Sequence, residues 1–79
     1  MIHARDDYNR IQDPAGKIAD DEPVFLIRAK DKVSAAAVRA WAELHKAAGG
    51  DPMISQNAYD QADQMDEWQS EHGSKSADL

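Results

Sequence analysis

Four residues, Gly49-Gly50-Asp51-Pro52, constrain what this chain can fold into more than any others. A glycine pair ends a helix because it carries no side chain to disfavour the left-handed backbone that closes the last turn. Asp followed by Pro opens the next helix, with Asp as N-cap and Pro at the first helical position, where a backbone N–H is not needed. On both sides of this punctuation, apolar residues recur every three or four positions. A connection this short predicts an antiparallel helical hairpin.

In the upstream helix Ser34 is a suitable N-cap, and Val33 with Val38 fits a hydrophobic staple. Alanine, the strongest helix former, is dense from 35 to 48. Ala37, Trp41, Leu44 and Ala48 form a stripe that Val38 widens, and His45 and Lys46 fall in the last turn, as the helix dipole prefers. The downstream stripe is Ile54, Ala58, Ala62, Met65 and Trp68, ending near His72-Gly73. This spacing predicts that Trp41 and Trp68 share a core, with Ala37, Ala58 and Ala62 allowing close approach.

Ahead of the hairpin, Val24–Ala29 reads as a short strand, β-branched and aromatic-rich, with Phe25, Ile27 and Ala29 on one face and Val24, Leu26 and Arg28 on the other. A lone strand cannot satisfy its backbone groups. Residues 1–20 hold few large apolar groups and the turn Asp13-Pro14-Ala15-Gly16, so they read as a flexible arm with at most one helical turn, in Asp7–Gln12. The partner is then either this arm or the same strand of a second chain, with Val24, Phe25, Leu26, Ile27 and Arg28 as the dimer strand. The expected architecture is α+β and mostly helical: an arm over 1–20, a β-α-α domain over 21–72 with one short strand before an antiparallel two-helix hairpin, and a disordered tail over 73–79.

At 79 residues the chain supports one small domain whose core is marginal. It has no Cys, which excludes disulfides and thiolate metal sites. No apolar run follows the start Met, and the longest apolar stretch is Val24-Phe25-Leu26-Ile27, so neither a signal peptide nor a membrane span is expected, and a cytoplasmic protein is. His3 lies on the arm, and a hairpin separates His45 from His72. There is no nucleophile elbow, phosphate-binding glycine loop or His-Glu-x-x-His pair. No enzyme activity, metal or cofactor is expected.

Charge is the clearest pointer to a partner. Between Ala47 and Ser74 lie six acidic residues and no Lys or Arg, while the rest of the chain balances, so the formal net charge of -6 sits in one segment. At about 100° per residue, Asp60, Asp63, Glu67 and Glu71 fall within an arc of about 80°, with Asp66 and Tyr59 beside it. Their rise of about 4.5–6 Å along the helix is near the spacing of phosphates in a nucleic-acid strand. No cation at i+3 or i+4 relieves the repulsion. The arc is either a solvated face or a phosphate-like surface offered to a basic groove on another protein, with Tyr59 at the interface. The same net field disfavours nucleic acid and anionic lipid as ligands. Arg28, Lys30, Lys32 and Arg39 form a weaker pattern, suited either to protecting a strand edge or to contacting phosphates.

The block Asp21-Glu22-Pro23-Val24-Phe25-Leu26-Ile27-Arg28-Ala29-Lys30-Asp31, followed by the alanine-rich helix and Gly49-Gly50-Asp51-Pro52, resembles a group of small proteins encoded in phages and prophages of proteobacteria, over about 21–68. Some very small, acidic phage proteins of this kind are anti-CRISPR proteins, including inhibitors of type I systems. The resemblance implies a stoichiometric inhibitor in the host bacterial cell, and the ridge of Asp60, Asp63, Asp66, Glu67 and Glu71 would then occupy the DNA-binding channel of a type I surveillance complex. Two other expectations compete with it: an adaptor whose edge strand Val24–Ala29 augments a partner's sheet, and a small DNA-binding accessory using Arg28, Lys30, Lys32 and Arg39.

Overall fold

The structure is a computed structural model that describes residues 1–8 and 12–77. In chain order it contains a single 3₁₀ turn, Asp6–Tyr8, helix α1, Ser34–Ala47, and helix α2, Pro52–His72. The expected helical turn in Asp7–Gln12 falls partly on positions outside the described residues. The two helices run antiparallel: from one end of the hairpin to the other, Ser34 meets Gln69, Arg39 meets Asp63 and Asp66, and Glu43 meets Tyr59.

The hairpin turn forms as its residues predict. Gly49 has φ +82°, its N–H donates to Lys46 O, and the Gly50 N–H reaches back to His45 O, which together close the last carbonyls of α1. A Cβ at Gly50 would overlap the His45 imidazole, so a larger residue there would require the ring to move. Asp51 caps α2 by accepting the Met53 N–H at 2.9 Å. At the other end of α1 the expected cap is displaced by one residue. Val33 holds the N-cap position and makes no side-chain cap. Asp31 does part of that work by accepting the Val33 N–H at 3.0 Å. Ser34 instead lies inside the first turn, fully buried, with its hydroxyl donating to Ala29 O at 3.4 Å and accepting from Gln69 Nε2 at 3.1 Å.

The seam between the helices differs from the expected one. Among the described residues only Ser34, Ala35, Ala42, Ser55 and Ala62 are buried. The stripe of Ala37, Trp41 and Leu44 lies beside that seam: Trp41 is 50 % and Leu44 70 % exposed, and across the hairpin Ile54 and Trp68 are 44 % and 38 % exposed. Trp41 and Trp68 therefore do not share a core. Each stacks on the histidine one turn later, Trp41 on His45 at 5.0 Å and Trp68 on His72 at 4.2 Å between ring centroids. The physical reason is that alanine and serine let the helix axes approach closely, and bulky residues then fit only at the flanks.

The expected strand is not formed. Among the described residues there is no ladder, only two isolated parallel bridges, Ile2 with Pro23 and Asp31 with Lys75. They bracket the 24–30 segment. Ile2 donates its N–H to Glu22 O and accepts from Val24 N–H, while Lys75 donates to Lys30 O and accepts from Lys32 N–H. The start of the chain and the stretch after α2 thus both tie onto this segment, where a free arm and tail were expected. The N–H groups of Phe25, Leu26, Ile27 and Arg28 meet no partner among the described residues. The cross-chain pairing expected of Val24–Arg28 therefore has no formed strand beneath it.

Gln69 joins these parts. Its Nε2 donates to Ala29 O at 2.7 Å and Asp31 O at 2.8 Å, linking α2 to the loop that leads into α1. Gln69→Ala removes one donor from each of these part-buried carbonyls, which keep the Ser34 hydroxyl and the Ser34 N–H as partners, and is expected to cost about 1 kcal/mol in urea unfolding. Ser55 gives the opposite sign. Its hydroxyl is buried and has no hydrogen-bond partner, so Ser55→Ala removes an unsatisfied group, improves helix propensity, and is expected to raise stability by about 1 kcal/mol. A loss in the Ser55→Ala midpoint would contradict that assignment.

Candidate functional site

The acidic residues of α2 divide into two groups. Asp63 and Asp66 turn towards α1, where one nitrogen of Arg39, Nη2, donates to Asp63 Oδ1 at 2.8 Å and Asp66 Oδ2 at 2.7 Å. The hydrogen bond to Asp63, then that to Asp66, raises the pKa of the guanidinium above its ordinary value. One cation is shared by two carboxylates, so the local charge falls by one and the surface stays acidic. Asp60, Glu67 and Glu71 form no ion pair among the described residues, and Asp60 only accepts an amide hydrogen of Gln56 at 3.0 Å. These three span an arc of about 40° on the outer face of α2, with rises of about 10 and 6 Å between them.

This corrects the expected ridge of five uncompensated carboxylates. Counting cations at i+3 and i+4 within α2 missed Arg39, because the antiparallel register brings it level with Asp63 and Asp66 from the other helix. Tyr59 also has partners within the fold. It is half-buried, its hydroxyl donates to Glu43, and Lys46 Nζ lies 5.9 Å from its ring centroid. It joins the two helices.

The expected basic patch does not assemble either. Arg39 is committed to α2, and Lys30 Nζ donates to His72 O at 3.4 Å and sits 5.9 Å from the Trp68 ring centroid. Arg28 and Lys30 instead line a recess with Arg5, Tyr8, Phe25 and Lys75. Arg5 makes two hydrogen bonds to Asp7, at 2.9 and 2.8 Å. This cluster draws on three separate stretches of chain, which is why no local pattern reveals it. His3 lies edge-on to Tyr8, while His45 and His72 stack on different tryptophans, so no two histidines pair. Among the described residues no three His, Asp or Glu side chains converge as metal ligands.

The hairpin has a second, unlike side. At about 100° per residue, Arg39, Glu43, Lys46, Tyr59, Asp63 and Asp66 lie to one side of the plane through the helix axes, as their mutual contacts require. Trp41, Leu44, Ile54, Gln61, Met65 and Trp68 lie to the other side, where neither helix places an Asp, Glu, Lys or Arg. Leu26, Ile27, Arg28 and Ala29 run across the Trp68 end of this side and line a groove with Gln61, Gln64, Met65 and Trp68, so the cations at this end, Arg28 and Lys30, come from the loop and not from the helices.

Comparison with protein-family models, with curated proteins and with solved structures gives no match. No helix among the described residues is long and apolar enough to cross a membrane.

A double-mutant cycle checks the Arg39 clasp. Arg39→Ala and the pair Asp63→Ala, Asp66→Ala are expected to show a small, favourable coupling in thermal unfolding at low salt, shrinking in high salt because the groups are exposed. Zero coupling at low salt would contradict the contact.

Proposed function

We propose that this chain is a non-enzymatic binding protein that presents the outer face of α2 to a basic surface of another protein. The observation that carries the reading is the exposure of Asp60, Glu67 and Glu71 on one arc of a helix with no cation paired to them among the described residues. Carboxylates fixed on a helix meet a basic groove with little loss of side-chain freedom, and the net charge of -6 speeds encounter with such a groove. In the setting that the phage-protein resemblance implies, the groove is the DNA channel of a type I CRISPR surveillance complex, and the protein acts by excluding target DNA inside the host cell. Asp63 and Asp66 contribute field to this surface while staying tied to Arg39.

A purified type I surveillance complex binding a fluorescent target duplex provides the test. The protein is expected to compete with the duplex, and the competition should weaken steeply as salt rises. Glu67→Lys combined with Glu71→Lys should abolish it while helicity by circular dichroism is retained. An absence of competition, or competition that survives the double reversal, rules the reading out.

One observation favours a second reading, an adaptor that docks through the 24–28 segment. Among the described residues the N–H groups of Phe25–Arg28 meet no partner, which suits them to an added strand. Ile27→Pro should then abolish partner capture while the charge reversals on α2 leave it intact.

A further inference from the structure

We infer that the side of the hairpin holding Trp41, Leu44 and Ile54, to which neither helix adds a charged residue, is covered by a second copy of this chain. The first ground is surface. The chain exposes 5891 Å², whereas a folded monomer of 8.7 kDa exposes about 4,700 Å². The surplus of about 1,200 Å² exceeds the roughly 800 Å² that each partner gives up in a standard interface. The radius of gyration, 13.8 Å, likewise exceeds the value of about 12 Å for a compact domain of this length.

The second ground is shape. The molecule is a slab of 34 × 33 × 19 Å. Two slabs stacked on their broad faces make a body slightly deeper than it is wide.

The third ground is the distribution of charge, which says which face is used and by what. Two chains of net charge -6 repel wherever their acidic sides approach. The side holding Trp41, Leu44 and Ile54 has no charged residue from either helix, so two copies can meet there without opposing carboxylates. The 24–29 segment already covers the Trp68 end of this side, and the Trp41 end is bare. A two-fold axis through the bare end brings the Trp41 and Leu44 of one copy against the same residues of its partner. The outer faces of the two α2 helices then point away from the contact. The dimer is bivalent for any partner those faces bind, although its formation does not depend on that binding.

Sedimentation equilibrium of the full chain, over a micromolar concentration series at low and high salt, tests the inference. The expected mass is twice 8.7 kDa, with association held or strengthened in high salt, because screening removes the repulsion between acidic copies. This is opposite to the salt response of binding through the acidic face, so the two claims fail separately. Leu44→Glu should reduce the mass to that of one chain while the helical circular dichroism is kept. Asp60→Asn combined with Glu67→Gln should leave the dimer intact. A single-chain mass at every concentration would overturn the inference and leave the face to an apolar segment of another protein. A dimer indifferent to Leu44→Glu would overturn it too and move the contact elsewhere, with Ile27→Pro reporting whether the copies meet along the 24–28 segment.

Discussion

The close approach of α1 and α2 along Ser34, Ala35, Ala42, Ser55 and Ala62 is the contact on which the rest of the structure depends. Such a seam buries little apolar area per residue, so its strength comes from dispersion between closely spaced backbones and from the turn that sets the register. The Gly49 backbone and the Asp51 cap fix that turn, and the register then decides which side chains meet across the helices. Arg39 falls level with Asp63 and Asp66, and Glu43 level with Tyr59. Gln69 reaches the loop before α1, and that loop carries the 24–30 segment onto the side of the hairpin.

A seam of small residues displaces the large ones. Trp41, Leu44 and Ile54 remain at the flank, and the charged residues of both helices collect on the opposite side or the back. The hairpin thus has one side that collects the charged residues of its helices and another to which neither helix adds any. The dimer inferred above covers the side that holds Trp41, Leu44 and Ile54, and the function proposed above uses the outer face of α2.

Much of the hairpin was legible in the residues. Gly49-Gly50-Asp51-Pro52 and the three-and-four spacing place both helices and their antiparallel order, because those signals are local. Which stripe turns inward was not legible. On α1 the apolar side chains and the alanine-serine seam lie on neighbouring arcs, and hydrophobicity alone favours the arc with tryptophan. The Arg39 clasp was hidden for a related reason, since its partners are 24 and 27 residues away. Val24–Ala29 has the composition of a strand, but composition does not supply a neighbour, and short contacts from Ile2 and Lys75 hold the segment only at its ends. On the acidic helix, Asp60, Glu67 and Glu71 form no ion pair among the described residues, whereas Asp63, Asp66 and Tyr59 have partners that only the folded register supplies.

The measurement that bears most directly on the seam is urea unfolding of Ala42→Leu beside Trp41→Ala, at a protein concentration too low for copies to associate. Overpacking at Ala42 is expected to cost about 1–3 kcal/mol, while removing a half-exposed indole costs less. An unchanged midpoint for Ala42→Leu, with a loss of about 3–5 kcal/mol for Trp41→Ala, would place tryptophan in the core and contradict the account.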